Sequence, residues 1–129
     1  MSRKEVGNFY EAVAALNARA RGITIVKRNL FTHYGEIDIL GRKGNTLMVL
    51  EVRGRGSGKY PPHRFLSRQK LERLRRLASW AGACYRAHAV KLELVEVIGP
   101  RPRPEFERLA ALAPGRFGLS VQVFPIGSD

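Results

Sequence analysis

The sequence predicts an α/β domain in which helices cover a mixed sheet, and three observations carry that expectation. Residues 4–20 place apolar side chains at helical spacing. Residues 23–53 hold three strand-like runs joined by short turns, and a long amphipathic segment then separates them from a fourth such run at 89–99. At 129 residues and 44% hydrophobic content, the chain fits a single domain, 1–129, with a real core.

Val6, Phe9, Val13, Leu16 and Ala20 form the apolar face of the first helix, and Gly22 stops it. "ITIVKRNLF" (23–31) is β-branched and reads as a strand. "GEIDILG" (35–41) alternates, with Ile37 and Ile39 on one face and Glu36, Asp38 and Leu40 on the other. After the tight turn "KGN", the nearly continuous apolar run "TLMVLEVR" (46–53) suits a central strand covered on both faces. These three strands read as an antiparallel meander.

"GRGSGKYPPH" (54–63) is a basic loop. A helix follows from about Ser67, its N-cap, to His88, with Leu71, Leu74, Ala78, Ala81 and Tyr85 as its apolar stripe. Trp80 and Cys84 on this helix read as packing residues. "AVKLELVEVIG" (89–99), returning after a long helix, could lie parallel to an earlier strand. "PRPRP" is a stiff connector, "EFERLAALA" a short helix, and "GLSVQVFPI" (118–126) an edge strand ending before or at Pro125.

Subtracting 11 acids from 23 bases gives a net charge of +12, which is a statement about partners. Nucleic acid fits best, ahead of an anionic membrane surface. Cys84 is the only cysteine, so an intrachain disulfide is excluded, and no Cys/His spacing resembles a zinc site. "MSRKEVGNFYEAVAAL" lacks a secretory core, and no stretch approaches the ~18 apolar residues of a membrane span. The expectation is a cytoplasmic protein with no membrane partner.

In so basic a chain, Glu36, Asp38 and Glu51 stand inside two otherwise apolar runs, where an acid costs free energy unless something pairs with it. A hairpin register bringing Asp38 near Glu51 is accessible. Two carboxylates brought together would share a proton or a cation, and Mg²⁺ is the natural cation where phosphate is the substrate. Glu11 could supply a third oxygen. The alternative is a set of salt bridges, Glu36 or Asp38 with Arg28 and Glu51 with Arg53 or Arg42. Glu51 ends the uninterrupted run Leu47 to Leu50, which favours the metal.

"GxxIVxRN", "GEIDIL" and "LMVLEVRGR" resemble the YraN-like family of small bacterial proteins. That family is in turn similar to the PD-(D/E)xK, or restriction-endonuclease-like, nuclease superfamily, which includes archaeal Holliday junction resolvases. The resemblance covers about residues 7–98, leaving 100–129 as an appendage. It implies a restriction-endonuclease-like fold and a site holding Mg²⁺ or Mn²⁺. Asp38 and Glu51 match the metal-binding acids, the Val52 carbonyl a further ligand, and Glu11 the helical glutamate that completes the site. Gln69 matches a polar residue that orients it, Glu36 belongs to the signature, and Gly35 serves the turn.

Two positions depart from the family pattern. Arg53 stands where the family has lysine; arginine supplies charge through a forked group but does not accept a proton. Glu93 stands where an aspartate after an aromatic is usual. Around the acids, Arg55, Lys59 and Arg64 of the loop and Arg68, Lys70 and Arg73 of the helix would contact phosphates. Tyr60 and Phe65 could stack on a base or anchor the loop, and His63 is the histidine nearest the expected chemistry.

The function expected is metal-dependent hydrolysis of phosphodiester bonds in DNA, branched or structured DNA by analogy with the resolvases. Asp38, Glu51, Arg53 and Gln69 would be its catalytic set. A homodimer would suit the cutting of two strands. The alternative is a basic nucleic-acid-binding module, for DNA or RNA, in which Arg53 has ended catalysis.

Overall fold

The N-terminal apolar spacing becomes helix α1, Arg3–Ala20. The computed structural model describes residues 3–56 and 66–127, with side chains from residue 8 onward. At Gly22 the backbone takes φ +85°, which glycine adopts without strain, and the chain turns into strand β1, Thr24–Thr32. Strands β2 (Gly35–Lys43) and β3 (Thr46–Arg55) complete an antiparallel meander. Helix α2, Arg68–Cys84, then crosses back, so strand β4 (Ala89–Ile98) pairs parallel to β3. A 3₁₀ turn at Pro104–Phe106, helix α3 (Glu107–Leu112) and a second 3₁₀ turn at Pro114–Phe117 lead to strand β5, Ser120–Ile126. The spatial order is β1-β2-β3-β4-β5, a five-stranded mixed sheet flanked by helices, compatible with a restriction-endonuclease-like fold.

One helix lies on each face. On the first, Phe9, Val13, Ala14, Ala15 and Ala18 of α1 bury Ile39, Met48 and Leu50 of the meander and Val95 and Val97 of β4, with Ala110 of α3 closing the cluster. On the second, Leu74, Leu77 and Ala81 of α2 pack on Ile37, Leu40, Leu47, Val49 and Leu92. Leu47 to Leu50 are all buried because β3 is sandwiched between both layers, as its continuous apolar run predicts.

Several details differ from the sequence reading. Ile37 and Ile39 do not share a face: Ile37 packs under α2 and Ile39 under α1, because strict alternation breaks at Asp38. Ala20 is exposed, and α1 instead buries its alanines 14, 15 and 18. Helix α2 ends at Cys84, four residues short of His88, where Arg86 enters the left-handed region at φ +50°. Cys84 is exposed, Trp80 is half-buried against the α2 core, and Leu77 joins the buried stripe. Strand β5 runs through Pro125 to Ile126; as an edge strand it tolerates a residue without an N–H. Among the described residues, no helix is long and apolar enough to cross a membrane.

Tyr10 lies on the backbone of β3 where only glycine fits, since a methyl group at Gly54 would overlap the Tyr10 ring. This close approach sets the seating of α1 on the sheet, and Glu11 is the next residue of that helix. Gly54→Ala should lower stability by about 1–3 kcal/mol through overpacking. Gly56→Ala, which meets open space, should stay within about 0.5 kcal/mol of the parent. Urea denaturation of both variants checks this.

Candidate active site

The β2–β3 ladder starts at Lys43 opposite Thr46 and ends at Ile39 opposite Leu50. Asp38 and Glu51 are the next residues on each strand, at the point where regular pairing stops. There the Val52 N–H donates to Asp38 Oδ2 at 2.8 Å, so a carboxylate takes the place of a backbone carbonyl in the gap between the strands. On the other side of β2, regular pairing with β1 skips the same position, where Asn29 adopts φ +53°, a conformation asparagine tolerates. Asn29 hydrogen-bonds the Glu11 carboxylate, and the positive charge of Arg28 also acts on Glu11. The hairpin and α1 therefore bring together the acids that the sequence singles out.

These acids disfavour one another's charge. Burial is the main influence on Asp38 and the Glu51 carboxylate the next; against the pull of the Val52 N–H, they push its pKa up to about 7, with Glu11 and Glu36 adding to the rise. No cation ranks among these influences. The Glu11 carboxyl is also raised, first by burial, then by Glu36 and Glu51, with Arg28 and Asn29 opposing. Glu11 Oε1 is buried and has no hydrogen-bond partner among the described residues.

Glu51 is paired, though not with the arginines expected from strand spacing: Lys70 Nζ reaches across from α2 to 3.1 Å from Glu51 Oε1. Arg28, expected beside Glu36 or Asp38, acts on Glu11 instead. Arg53 stands opposite Glu96 in the parallel β3–β4 register. Glu96 is fully buried near the C-terminal end of β4, and Arg55 Nε lies 2.9 Å from its Oε1. Burial raises the Glu96 carboxyl, while Arg55 and then Arg53 draw it back down. Glu93 is held apart from the site by Arg21, whose Nη2 lies 3.0 Å from each carboxylate oxygen.

At the start of α2, Ser67 Oγ accepts the Lys70 N–H at 3.0 Å and caps the helix as expected. Ser67, Gln69, Lys70, Arg73 and Arg76 line a concavity of about 260 Å³. Arg73 also leans over Gly35, whose φ of +127° is a conformation that favours glycine. Arg68 stands apart, exposed and 3.7 Å from Glu72. Lys59 and Arg64, with Tyr60, His63 and Phe65, lie outside the described residues.

Among the described residues, no three His, Cys, Asp or Glu side chains form a ready cation cage. Asp38 and Glu51, with the Val52 carbonyl, offer a sparse oxygen set of the kind that suits Mg²⁺, which keeps several of its waters. The unpartnered oxygen of Glu11, whose charge acts on Asp38, is a further candidate donor. Sequence reasoning missed Asn29 and Glu96. Glu96 carried a readable signal, since it is an acid inside an apolar strand like Glu51. Asn29 carried none, because its role depends on a backbone kink.

The family model described as "Uncharacterised protein family UPF0102" matches residues 10–98, which run from Tyr10 through the end of β4 and include every acid of the site. Among curated relatives, a UPF0102 protein of Nocardioides sp. is 36% identical over 104 residues, covering 77% of this chain and 82% of its own. One from Beutenbergia cavernae is 37% identical over 103 residues, 78% and 87% of the two chains. One from Kosmotoga olearia is 40% identical over 74 residues, 57% and 63% of the two.

The raised Asp38 carboxyl has a consequence for stability. Between its ordinary value of 3.8 and about 7, the folded chain holds a proton there that the unfolded chain has lost. Stability therefore falls as pH rises through that window, and the penalty is fully present above pH 7. Asp38→Asn keeps an acceptor for the Val52 N–H and removes the penalty. In EDTA the variant should gain stability on the parent from pH 4 to pH 8, by at most about 4 kcal/mol before solvent screening trims it. Thermal melts at the two pH values test this, and a parent and variant that respond alike would refute it.

Proposed function

The chain belongs to the UPF0102 family, and we propose that it is a metal-dependent hydrolase of phosphodiester bonds in DNA. The observation that carries this reading is Asp38: a carboxyl pushed up to about 7, beside Glu51 and near Glu11 and Glu36, in a chain with a net charge of +12. Such an arrangement disfavours folding unless it serves chemistry. A divalent cation relieves it, and the donors are oxygens, as a hard cation prefers.

Asp38 and Glu51 would hold Mg²⁺ or Mn²⁺, with the Val52 carbonyl as a further ligand and Glu11 completing the set. When bound, the ion polarises a phosphoryl oxygen and makes a water more acidic. The Val52 N–H keeps Asp38 oriented toward the shared position, and Gln69 and the bases at the start of α2 hold the backbone in line. Water's oxygen bonds to phosphorus as the ester oxygen departs. One product end keeps the phosphate, and the other becomes a hydroxyl with the water's proton. Arg68 and Arg73, with Lys59 and Arg64, would bind flanking phosphates without reading sequence, whereas Arg55, expected among them, is engaged by the buried Glu96. A preference for branched or structured DNA rests on analogy with junction resolvases, and a homodimer would pair two such sites.

The Lys70–Glu51 ion pair supports a second reading, a nucleic-acid-binding module for DNA or RNA without catalysis, because it already neutralises one of the acids. Cleavage of end-labelled four-way junction, flap, duplex and single-stranded DNA with Mg²⁺, Mn²⁺ or EDTA separates the two. The hydrolase should cut only with metal, and Glu51→Ala or Asp38→Asn should lower the rate by about 10²-fold or more. Salt-sensitive binding without cutting, unchanged by EDTA, would favour the module. Mn²⁺ binding at pH 6.5 should also displace about three-quarters of a proton, what a carboxyl near pKa 7 still holds there. Calorimetry in buffers of different ionisation enthalpy measures it.

A further inference from the structure

We propose that Lys70, reaching from α2, is the cation that meets the reacting phosphate beside Glu51, and that Arg53 belongs to the scaffold of the sheet. The inference rests on reading the site as a phosphodiesterase, and it assigns a role that strand position alone would give to Arg53.

Arg53 is committed elsewhere. It faces Glu96 across the parallel pair, and Glu96 is 0% exposed near the C-terminal end of β4. A buried carboxylate stripped of a compensating charge is strongly destabilising, so swinging Arg53 toward a substrate would work against the fold. Arg55 shares the same acid at 2.9 Å. Arg55 thus pairs β3 to β4 through Glu96, and the charge of Arg53, on the same strand as Glu51, adds to the stabilisation of that buried acid.

Lys70 has the opposite setting. Its Nζ is 3.1 Å from Glu51 Oε1, with side chains only 28% and 11% exposed, so the ammonium is held at the edge of the site. Its backbone is fixed by the Ser67 cap, which makes its position a property of the first turn of α2. The same lysine lines the concavity shared with Ser67, Gln69, Arg73 and Arg76: three cations, an amide and a hydroxyl, with no carboxylate among the described residues of its lining. That is the chemistry of a phosphate cradle, with ammonium and guanidinium donors around a tetrahedral anion. The Lys70 N–H donates to a non-bridging phosphoryl oxygen and stabilises the charge that accumulates there.

The test compares Lys70→Met, Lys70→Arg and Arg53→Met with the parent in two assays. In the cleavage assay with Mn²⁺, Lys70→Met should lose about 10²–10³-fold in kcat with KM changed less than tenfold, and Lys70→Arg should recover part of the loss. Arg53→Met should register chiefly as a lower melting temperature. The second assay needs no activity: in EDTA at constant ionic strength, inorganic phosphate should raise the parent's melting temperature by mass action. Lys70→Met should lose at least half of that rise. Lys70→Arg should keep it, as should Arg19→Met, a charge-matched change at the exposed end of α1. If the parent cuts no DNA but its phosphate response depends on Lys70, the hydrolase reading falls and the Lys70–phosphate contact stands. If Lys70→Met responds to phosphate as the parent does, or cuts at the parental rate, the inference is overturned.

Discussion

The site depends on the parting of β2 and β3 beyond Ile39 and Leu50, where the Asp38 carboxylate takes the Val52 N–H that a neighbouring strand would otherwise accept. A buried N–H left without an acceptor costs about 1–3 kcal/mol, so the acid is part of the sheet's hydrogen bonding as well as of the candidate site. The same bond holds Asp38 in the gap between two strands rather than on either face. It can therefore be reached by α1, which contributes Glu11, while α2 contributes Lys70 to Glu51. Alternation fails at this residue for the same reason, which is why Ile37 and Ile39 end in different cores.

The distribution of counter-charges has a pattern. Three acids away from the gap are each given an arginine: Glu93 has Arg21, Glu96 has Arg55, and Glu72 has Arg68. At the gap, Glu11, Glu36, Asp38 and Glu51 act on one another as well as on Lys70 and Arg28, and burial with this mutual repulsion outweighs those cations at Asp38 and Glu11. In a chain where bases outnumber acids by 23 to 11, that concentration is not forced by a shortage of partners. Unfavourable clustering of this kind is what a site poised for a cation looks like.

The segment matching UPF0102, residues 10–98, includes α2 and β4 and the whole acidic cluster. The C-terminal residues beyond it serve the sheet rather than the site. β5 pairs with β4 along its length, and Ala110 of α3 closes the core under α1. The appendage thus covers the edge of β4, a parallel strand whose burial on both faces leaves it dependent on neighbours.

Much of the fold was legible without coordinates because it is set by local patterning. The period of three and four gave α1, the unbroken run Leu47 to Leu50 marked the central strand, and a long helix before 89–99 required a crossover that allows parallel pairing. Acids at positions 38 and 51 of apolar strands marked the site, since burial of a charge always demands an explanation. Other features depended on pairing between distant segments, where spacing along the chain carries no information. Whether Glu51 meets Arg53, Arg42 or Lys70 depends on where α2 lands, and Arg53 is drawn to Glu96 only because β4 arrives beside it. The kink at Asn29 and the broken alternation at Asp38 also exist only once β1, β2 and β3 are assembled. By itself, then, the sequence determined the strands, the helices and the acids at positions 38 and 51 that stand inside apolar runs. The tertiary structure decided which base each acid meets, because an ion pair is set by distance in space and not by separation along the chain.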